Sequence, residues 1–338
     1  MRGFEYVRAA DPADAIHAAR QTSSAPPTLA PTQFLAGGTT LLDLMKLDIM
    51  RPTRVVDISG FRNRTDGIAF DRQGLHLGAF VTMAEAADHP DIRRDYPIIA
   101  QSLNLAASAQ IRNMATLGGN VLQRTRCSYF RDTSWQACNK RSPGSGCAAL
   151  RGLNRKHAVL GTSENCIATY PGDFAQALVA LGADIEIAGP SGARRVKFED
   201  LHVAPDAHPE IETILNPDEL ITGFAVPAGP WTRRSLYLKV RDRESYEFAL
   251  ASAAVALDLH DGVVNEARIA LGGVATKPWR AREAEAALKG RALSEANARQ
   301  AAEAAFATTK THGHNDYKPE LGRRTLVRAL MQAATVEA

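Results

Sequence analysis

Phe34-Leu35-Ala36-Gly37-Gly38-Thr39-Thr40-Leu41-Leu42-Asp43-Leu44-Met45-Lys46 reads as a strand that runs into a Gly-Gly-Thr-Thr turn and then into a helix with apolar residues at helical spacing. A second glycine pair stands in Ile111-Arg112-Asn113-Met114-Ala115-Thr116-Leu117-Gly118-Gly119-Asn120. Paired glycines let backbone N–H groups converge with no Cβ in the way, the geometry that cradles phosphate oxygens. One such pair usually only reverses the chain. Two of them, each beside hydroxyl or amide donors, predict a shared diphosphate. Neither matches Gly-x-Gly-x-x-Gly or Walker A, which disfavours a Rossmann or P-loop site.

Directly after the second pair comes an unusual window. All four cysteines of the 338-residue chain, Cys127, Cys138, Cys147 and Cys166, fall within it. Arg124, Arg126, Arg131, Lys140, Arg141 and Arg151 accompany them, with the run Ser142-Pro143-Gly144-Ser145-Gly146 and no sustained apolar period. The window reads as an irregular loop organised by something other than a hydrophobic core. Disulfides suit small secreted domains, whereas a chain of this length can bury a large core without staples. Structural zinc usually takes close cysteine pairs, but the separations here are 11, 9 and 19 positions. A 4Fe-4S cluster tolerates wide spacing, and neighbouring cations suit its negative charge. Unrelated buried cysteines would be scattered.

Composition frames the site. With 45% hydrophobic and 23% charged residues, the chain reads as an ordinary globular protein of two or three subdomains. A net charge of +3, without a basic amphipathic helix, argues against nucleic acid. No run of eighteen apolar residues occurs and the start, MRGFEYVRAADPADA, has no apolar signal core, so neither membrane span nor export signal is expected.

Elsewhere the pattern predicts a strand at 4–7, a helix at 13–20 begun by Asp11-Pro12, and a polar linker at 21–32. Strands follow at 54–58 and 74–79, with Thr82 capping a helix. Later strands are expected at 236–240, 251–259 and 267–275, and helices at 279–290 and 294–308. His312 and His314 lie in a polar loop, a setting in which histidines are more often solvated than metal ligands.

The two glycine loops and the turn Tyr170-Pro171-Gly172-Asp173 resemble the FAD-binding subunit of the molybdenum hydroxylases, the xanthine dehydrogenase family. The resemblance continues through Asn216-Pro217-Asp218-Glu219-Leu220-Ile221, Lys239-Val240-Arg241-Asp242-Arg243 and Gly272-Gly273-Val274-Ala275, so it spans essentially the whole chain. Most members lack the cysteine insert. Its surroundings, Gln123 to Phe130, Cys138-Asn139-Lys140-Arg141 and Pro143 to Leu150, look closest to the 4Fe-4S-containing flavin subunit of bacterial periplasmic aldehyde oxidoreductases.

The resemblance implies an α+β protein: a PCMH-type FAD-binding fold of two α/β subdomains, 1–57 and 58–228, and a C-terminal sheet-and-helix subdomain of the CO dehydrogenase flavoprotein type, 229–338. The cluster loop is an insert at about 122–168. Ala36, Gly37, Gly38, Thr39 and Thr40 are expected to hold the FAD pyrophosphate, and Thr116, Gly118, Gly119 and Asn120 to approach it. Phe34, Leu35, Leu41, Ala106 and Ala107 also fall to the cofactor site. Asp173 matches a ribose- or adenosine-side acid, with helix capping as its alternative. Ile221 matches an apolar contact to the flavin, and Lys239 a cation near the flavin's polar edge, against the alternative of a solvated strand residue. Tyr246 falls in the segment that covers the flavin face, and no residue is expected to be catalytic in the substrate-oxidising sense. The metal ligands would be Cys127, Cys138, Cys147 and Cys166.

By the same likeness the partners are a large subunit with the molybdenum cofactor and a small subunit with 2Fe-2S clusters. Electrons from aldehyde oxidation would pass through FAD here to an external acceptor. Cluster insertion favours cytoplasmic assembly, with the periplasm reached by co-export alongside a signal-bearing partner. Alternatives are a hydroxybenzoyl-CoA reductase-like or xanthine dehydrogenase-like flavin subunit, a self-contained FAD reductase, a flavoenzyme of the cell-wall precursor reductase type and, outside enzymes, a zinc-stabilised binding module.

Overall fold

The first glycine loop leaves a small parallel sheet. In the computed structural model, which describes residues 1–20, 25–63 and 67–336, the chain opens with β1 (Glu5–Arg8), α1 (Pro12–Ala19), β2 (Thr32–Leu35), α2 (Leu41–Lys46) and β3 (Arg54–Asp57). The three strands pair in the order β1-β3-β2, all parallel. Asp11 Oδ1 accepts from the Asp14 amide at 2.8 Å and Pro12 occupies the first turn, so α1 begins where its sequence signals stand. Of the expected linker, residues 21–24 lie outside the described residues.

A larger antiparallel sheet follows. β4 (Ile68–Phe70), β5 (Gly74–Gly78), β6 (Asp184–Gly189), β7 (Gly192–Lys197) and β8 (Leu220–Pro227) run in the order β4-β5-β8-β6-β7. Between β5 and β6 come α3 (Met83–Asp88), α4 (Pro90–Asp95), α5 (Pro97–Asn104), α6 (Ala109–Met114), α7 (Leu117–Val121), α8 (Ser128–Arg131) and α9 (Phe174–Leu181). Thr82 caps α3 in a reciprocal box: its hydroxyl accepts from the Glu85 amide while Glu85 accepts from the Thr82 amide. β5 keeps its alternation, with Leu75 and Leu77 buried and His76 bonded to Glu186 at 3.0 Å on the opposite face.

The third sheet is β9 (Ser235–Val240), β10 (Ala251–His260), β11 (Val263–Gly272) and β12 (Trp279–Arg280), antiparallel in the order β12-β11-β10-β9. α10 (Arg282–Leu288), α11 (Glu295–Ala305) and α12 (Lys318–Ala334) cover it. Two expectations fail here, and one helix was not expected. Trp279 and Arg280 pair with Leu271 and Ala270 as an edge strand instead of starting a helix. The strand expected at 267–275 begins earlier, at Val263, because the Asp261-Gly262 reversal with positive φ at both residues closes a hairpin. α12, at 17 residues the longest helix among the described residues, has no counterpart in the sequence reading. Its small and charged residues obscure the buried stripe of Gly322, Thr325, Leu326, Ala329, Leu330 and Ala333.

All eight residues of α9 are buried. It packs against β8 on one side and β10 and β11 on the other, so it joins the central and C-terminal cores. The core beneath it is aromatic: Phe224 sits 5.8 Å from Phe174 and 6.0 Å from Phe198 between ring centroids. Phe224→Ala is expected to cost about 3–5 kcal/mol, read as a lowered midpoint in chemical denaturation.

Candidate functional site

The two glycine loops meet at one point. A Cβ added to Gly37 would stand 1.9 Å from the carbonyl oxygen of Met114, so the first loop lies directly on the backbone leading into the second. Their donors differ. Among the described residues the amides of Gly37, Gly38, Thr39 and Thr40 donate to no protein acceptor. In the second loop, Gly118 donates to Ala79 O at 2.8 Å, Gly119 to Thr116 Oγ1 at 3.1 Å and Asn120 to Thr116 O at 2.8 Å. The first loop therefore offers free N–H groups to an anion, and the second supplies a glycine surface that lets a ligand come close.

Both loops face a cleft of about 1600 Å³ open to solvent. Of the expected cofactor residues, Phe34, Ala36, Gly37, Gly38, Thr39, Thr40, Leu41, Thr116, Gly118, Gly119 and Ile221 line it. Leu35, Ala106, Ala107, Asn120, Asp173, Lys239 and Tyr246 do not. The Asn120 side-chain Nδ2 instead donates to Met83 Sδ at 3.3 Å. Asp173 and Lys239 lie together in a buried network away from the lining: Lys239 Nζ reaches Asp173 Oδ2 at 2.8 Å and Leu105 O at 3.0 Å. Their side chains are 1% and 4% exposed for Lys239 and Asp173 respectively, which rules out the solvated-lysine alternative. Asp173 stands at the start of α9 without a side-chain capping bond; its other oxygen accepts from Tyr237 at 2.6 Å. Burial, reinforced by Asp173, pushes the Tyr237 hydroxyl well up and keeps it a donor.

Lys239 also holds the turn at Leu105 to Ala107. Arg241 donates to the same Leu105 carbonyl at 3.2 Å, and Arg112 to Ala106 O at 2.9 Å, which holds Ala107 in a left-handed backbone with φ of 51°. Tyr246 is exposed on the β9–β10 connection, also left-handed with φ of 52°. Arg243 donates to its carbonyl and lies over its ring at 5.7 Å.

The four cysteines converge. All are free thiols and all line one narrow cavity. Cys127 precedes α8. Cys138 and Cys147 face each other across a two-residue antiparallel bridge, with Asn139 donating to Gly146 O at 2.8 Å and Ala148 to Ala137 O at 2.9 Å. Cys166 is placed by its amide bond to Ser163 Oγ at 3.2 Å and receives the Ala168 amide on its sulfur at 3.4 Å. Among the described residues, no three His, Cys, Asp or Glu side chains are grouped to hold one metal ion. Burial pushes the Cys127 thiol up to about 12 and Cys166 up to about 11, so uncomplexed they stay protonated and unreactive. His157 Nε2 lies 3.1 Å from Cys127 Sγ, and burial lowers its pKa to about 4.

Lys140 and Ala168 line the cleft and the cysteine cavity alike, so the two spaces share a wall. Glu212 holds that wall. Its oxygens meet Arg124 Nε at 2.7 Å and Lys140 Nζ at 2.9 Å, and Lys140 also donates to Pro209 O at 2.9 Å. Arg124 and Lys140 were visible as cations beside the cysteines, but the carboxylate that pairs them stands 88 positions from Arg124 and carries no local signal.

The chain belongs to the FAD-binding subunits of the molybdopterin dehydrogenases. Residues 2–229 match the FAD binding domain in molybdopterin dehydrogenase, and residues 236–333 match the CO dehydrogenase flavoprotein C-terminal domain. It is 44% identical to the aldehyde oxidoreductase FAD-binding subunit PaoB of Escherichia coli (strain K12), over 98% of this chain and 99% of that one. It is 28% identical to the carbon monoxide dehydrogenase medium chain of Afipia carboxidovorans, over 88% of each chain. Among solved structures, reconstituted CO dehydrogenase from Oligotropha carboxidovorans superposes with a TM-score of 0.74 at 26% identity, covering 100% of both chains.

Gly37→Ala is expected to weaken FAD binding more than about tenfold, because the added methyl forces the two loops apart; flavin absorbance per mole of purified chain measures it. Glu212→Gln is expected to cost about 3–5 kcal/mol, since it strands two buried cations. Burial alone would raise the Glu212 pKa, but Arg124 and Lys140 outweigh it and bring it down to about 2. That stabilisation is complete above the unfolded glutamate's pKa of about 4.3 and is lost as pH falls towards 2. Denaturation midpoints followed through this window should fall more steeply for the native chain than for Glu212→Gln.

Proposed function

We propose that this chain is the FAD- and 4Fe-4S-carrying electron-transfer subunit of a heterotrimeric molybdenum-dependent oxidoreductase that converts aldehydes to carboxylic acids. The observation that carries the reading is the gathering of all four cysteines around one cavity that shares a wall with the flavin cleft. The likeness to PaoB along the full chain supports the aldehyde. The cysteine separations of 11, 9 and 19 positions suit a cluster better than the close pairs of structural zinc.

FAD, when bound, joins one-electron to two-electron chemistry. The chain's residues supply the rest. Gly37 to Thr40 give amides to the diphosphate, the second loop keeps side chains out of its way, and Lys140 and Glu212 fix the wall between the two cofactors. Lys239 and Asp173 form a buried pair beside the Leu105–Ala107 turn. Electrons would enter from 2Fe-2S clusters on a small subunit, downstream of a large molybdenum subunit, and leave to an external acceptor. Cluster insertion belongs to cytoplasmic assembly, and the finished complex reaches the periplasm if a partner carries the export signal.

Cys138→Ser tests this in the purified complex. Iron and sulfide should fall by the complement of one 4Fe-4S cluster while flavin is retained, and turnover should drop. Unchanged iron would overturn the cluster. Lost iron with full flavin and full turnover would overturn its role as a relay.

A further inference from the structure

Among the described residues, one side chain hydrogen-bonds a cysteine sulfur: His157, with Nε2 at 3.1 Å from Cys127 Sγ. Resting on the cluster reading above, we propose that His157 is a positioning residue for the cluster, donating Nε2–H to Cys127 Sγ and thereby setting how readily the cluster takes up an electron.

The ring is fixed for this task. His157 is 5% exposed. Its amide donates to Asn154 O at 2.9 Å, while the Asn154 side chain is pinned by its own bonds to His312 O at 2.7 Å and Ala149 O at 3.2 Å. Tyr129 closes one flank, 6.1 Å away between centroids. A neutral imidazole carries a single N–H. The buried Nδ1 meets no protein partner among the described residues, so a proton there would be an unsatisfied donor. On Nε2 it faces the sulfur, which becomes an acceptor once Cys127 is a thiolate.

The consequence follows from charge. Each electron added to a thiolate-ligated cluster makes its sulfurs stronger acceptors, so a donor fixed on one of them favours the reduced form and raises the potential. Backbone amides act on the sulfurs as well, such as Ala168 N on Cys166 Sγ at 3.4 Å. They cannot be removed by substitution, but His157 can. Nothing in the local sequence singles it out, because it lies 30 positions from Cys127.

The test uses the intact complex in three forms: native, His157→Gln, which keeps a side-chain donor at similar reach, and His157→Leu, which removes it. Iron and sulfide are measured in each, and the cluster is then titrated with dithionite against potential, with the flavin couple as internal control. At fixed potential the reduced-to-oxidised ratio of His157→Leu should fall about tenfold, which is about 59 mV for a one-electron couple. His157→Gln should recover most of the shift, and the flavin couple should stay put. An iron-replete leucine variant with the native potential overturns this inference alone. Iron lost from the leucine variant also overturns it, because the ring would then hold the cluster instead of tuning it. A native chain without cluster iron defeats the cluster reading itself.

Discussion

The partition between the glycine-loop cleft and the cysteine cavity depends on one largely buried carboxylate. Glu212 reaches it from the segment between β7 and β8 and neutralises Arg124 and Lys140, two cations that the cysteine loop carries inwards. Without that charge the loop would bury two unpaired cations, a cost that favours water entry and opening. With it, the loop can be polar and irregular yet packed. The guanidinium of Arg124 also covers the Phe130 ring at 4.6 Å, so the same residue ties the ion pairs to the small apolar cluster behind Cys127 and Cys138.

The rigid surroundings explain how such a loop holds its shape. Arg141 donates to the carbonyls of Tyr129 and Phe130, both at 2.8 Å, and so fastens the end of α8 to the Cys138 turn. Asn139 spans from that turn to Asn165 O at 3.0 Å, beside Cys166. These are local polar clasps, each satisfying groups that burial would otherwise penalise. They position the thiols, and burial pushes those of Cys127, Cys138 and Cys166 up, which keeps them protonated.

What was legible in the sequence was whatever announces itself locally. The glycine pairs, the capping residues Asp11 and Thr82, and the clustering of cysteines each carry their signal within a few positions. The cleft residues of both glycine loops were legible for that reason. Long-range partners were not. Asp173 and Lys239 were read separately, as a ribose contact and a flavin-edge cation, and only the tertiary fold brings them into one buried pair 66 positions apart. Glu212, His157 and Tyr237 were missed because their roles exist only across the fold. α12 was missed for another reason: its buried face uses glycine, threonine and alanine, residues that periodicity weighs little.

The cysteine loop lies in the middle of the chain, but its back is made from the end. Val159 and Leu160 both donate to Val274 O, Lys310 donates to Val159 O at 2.8 Å, and Asn315 donates to Ala158 O at 3.0 Å. Asn154 leans on His312, and Tyr317 caps the carbonyl of Arg155 at 3.0 Å. During synthesis, then, the thiols emerge well before the residues that seat them. The backing of the loop is completed only when the stretch just ahead of the last helix has left the ribosome. Folding is thereby ordered by the chain itself: a truncated or stalled chain displays its cysteines before the segments that back their loop exist.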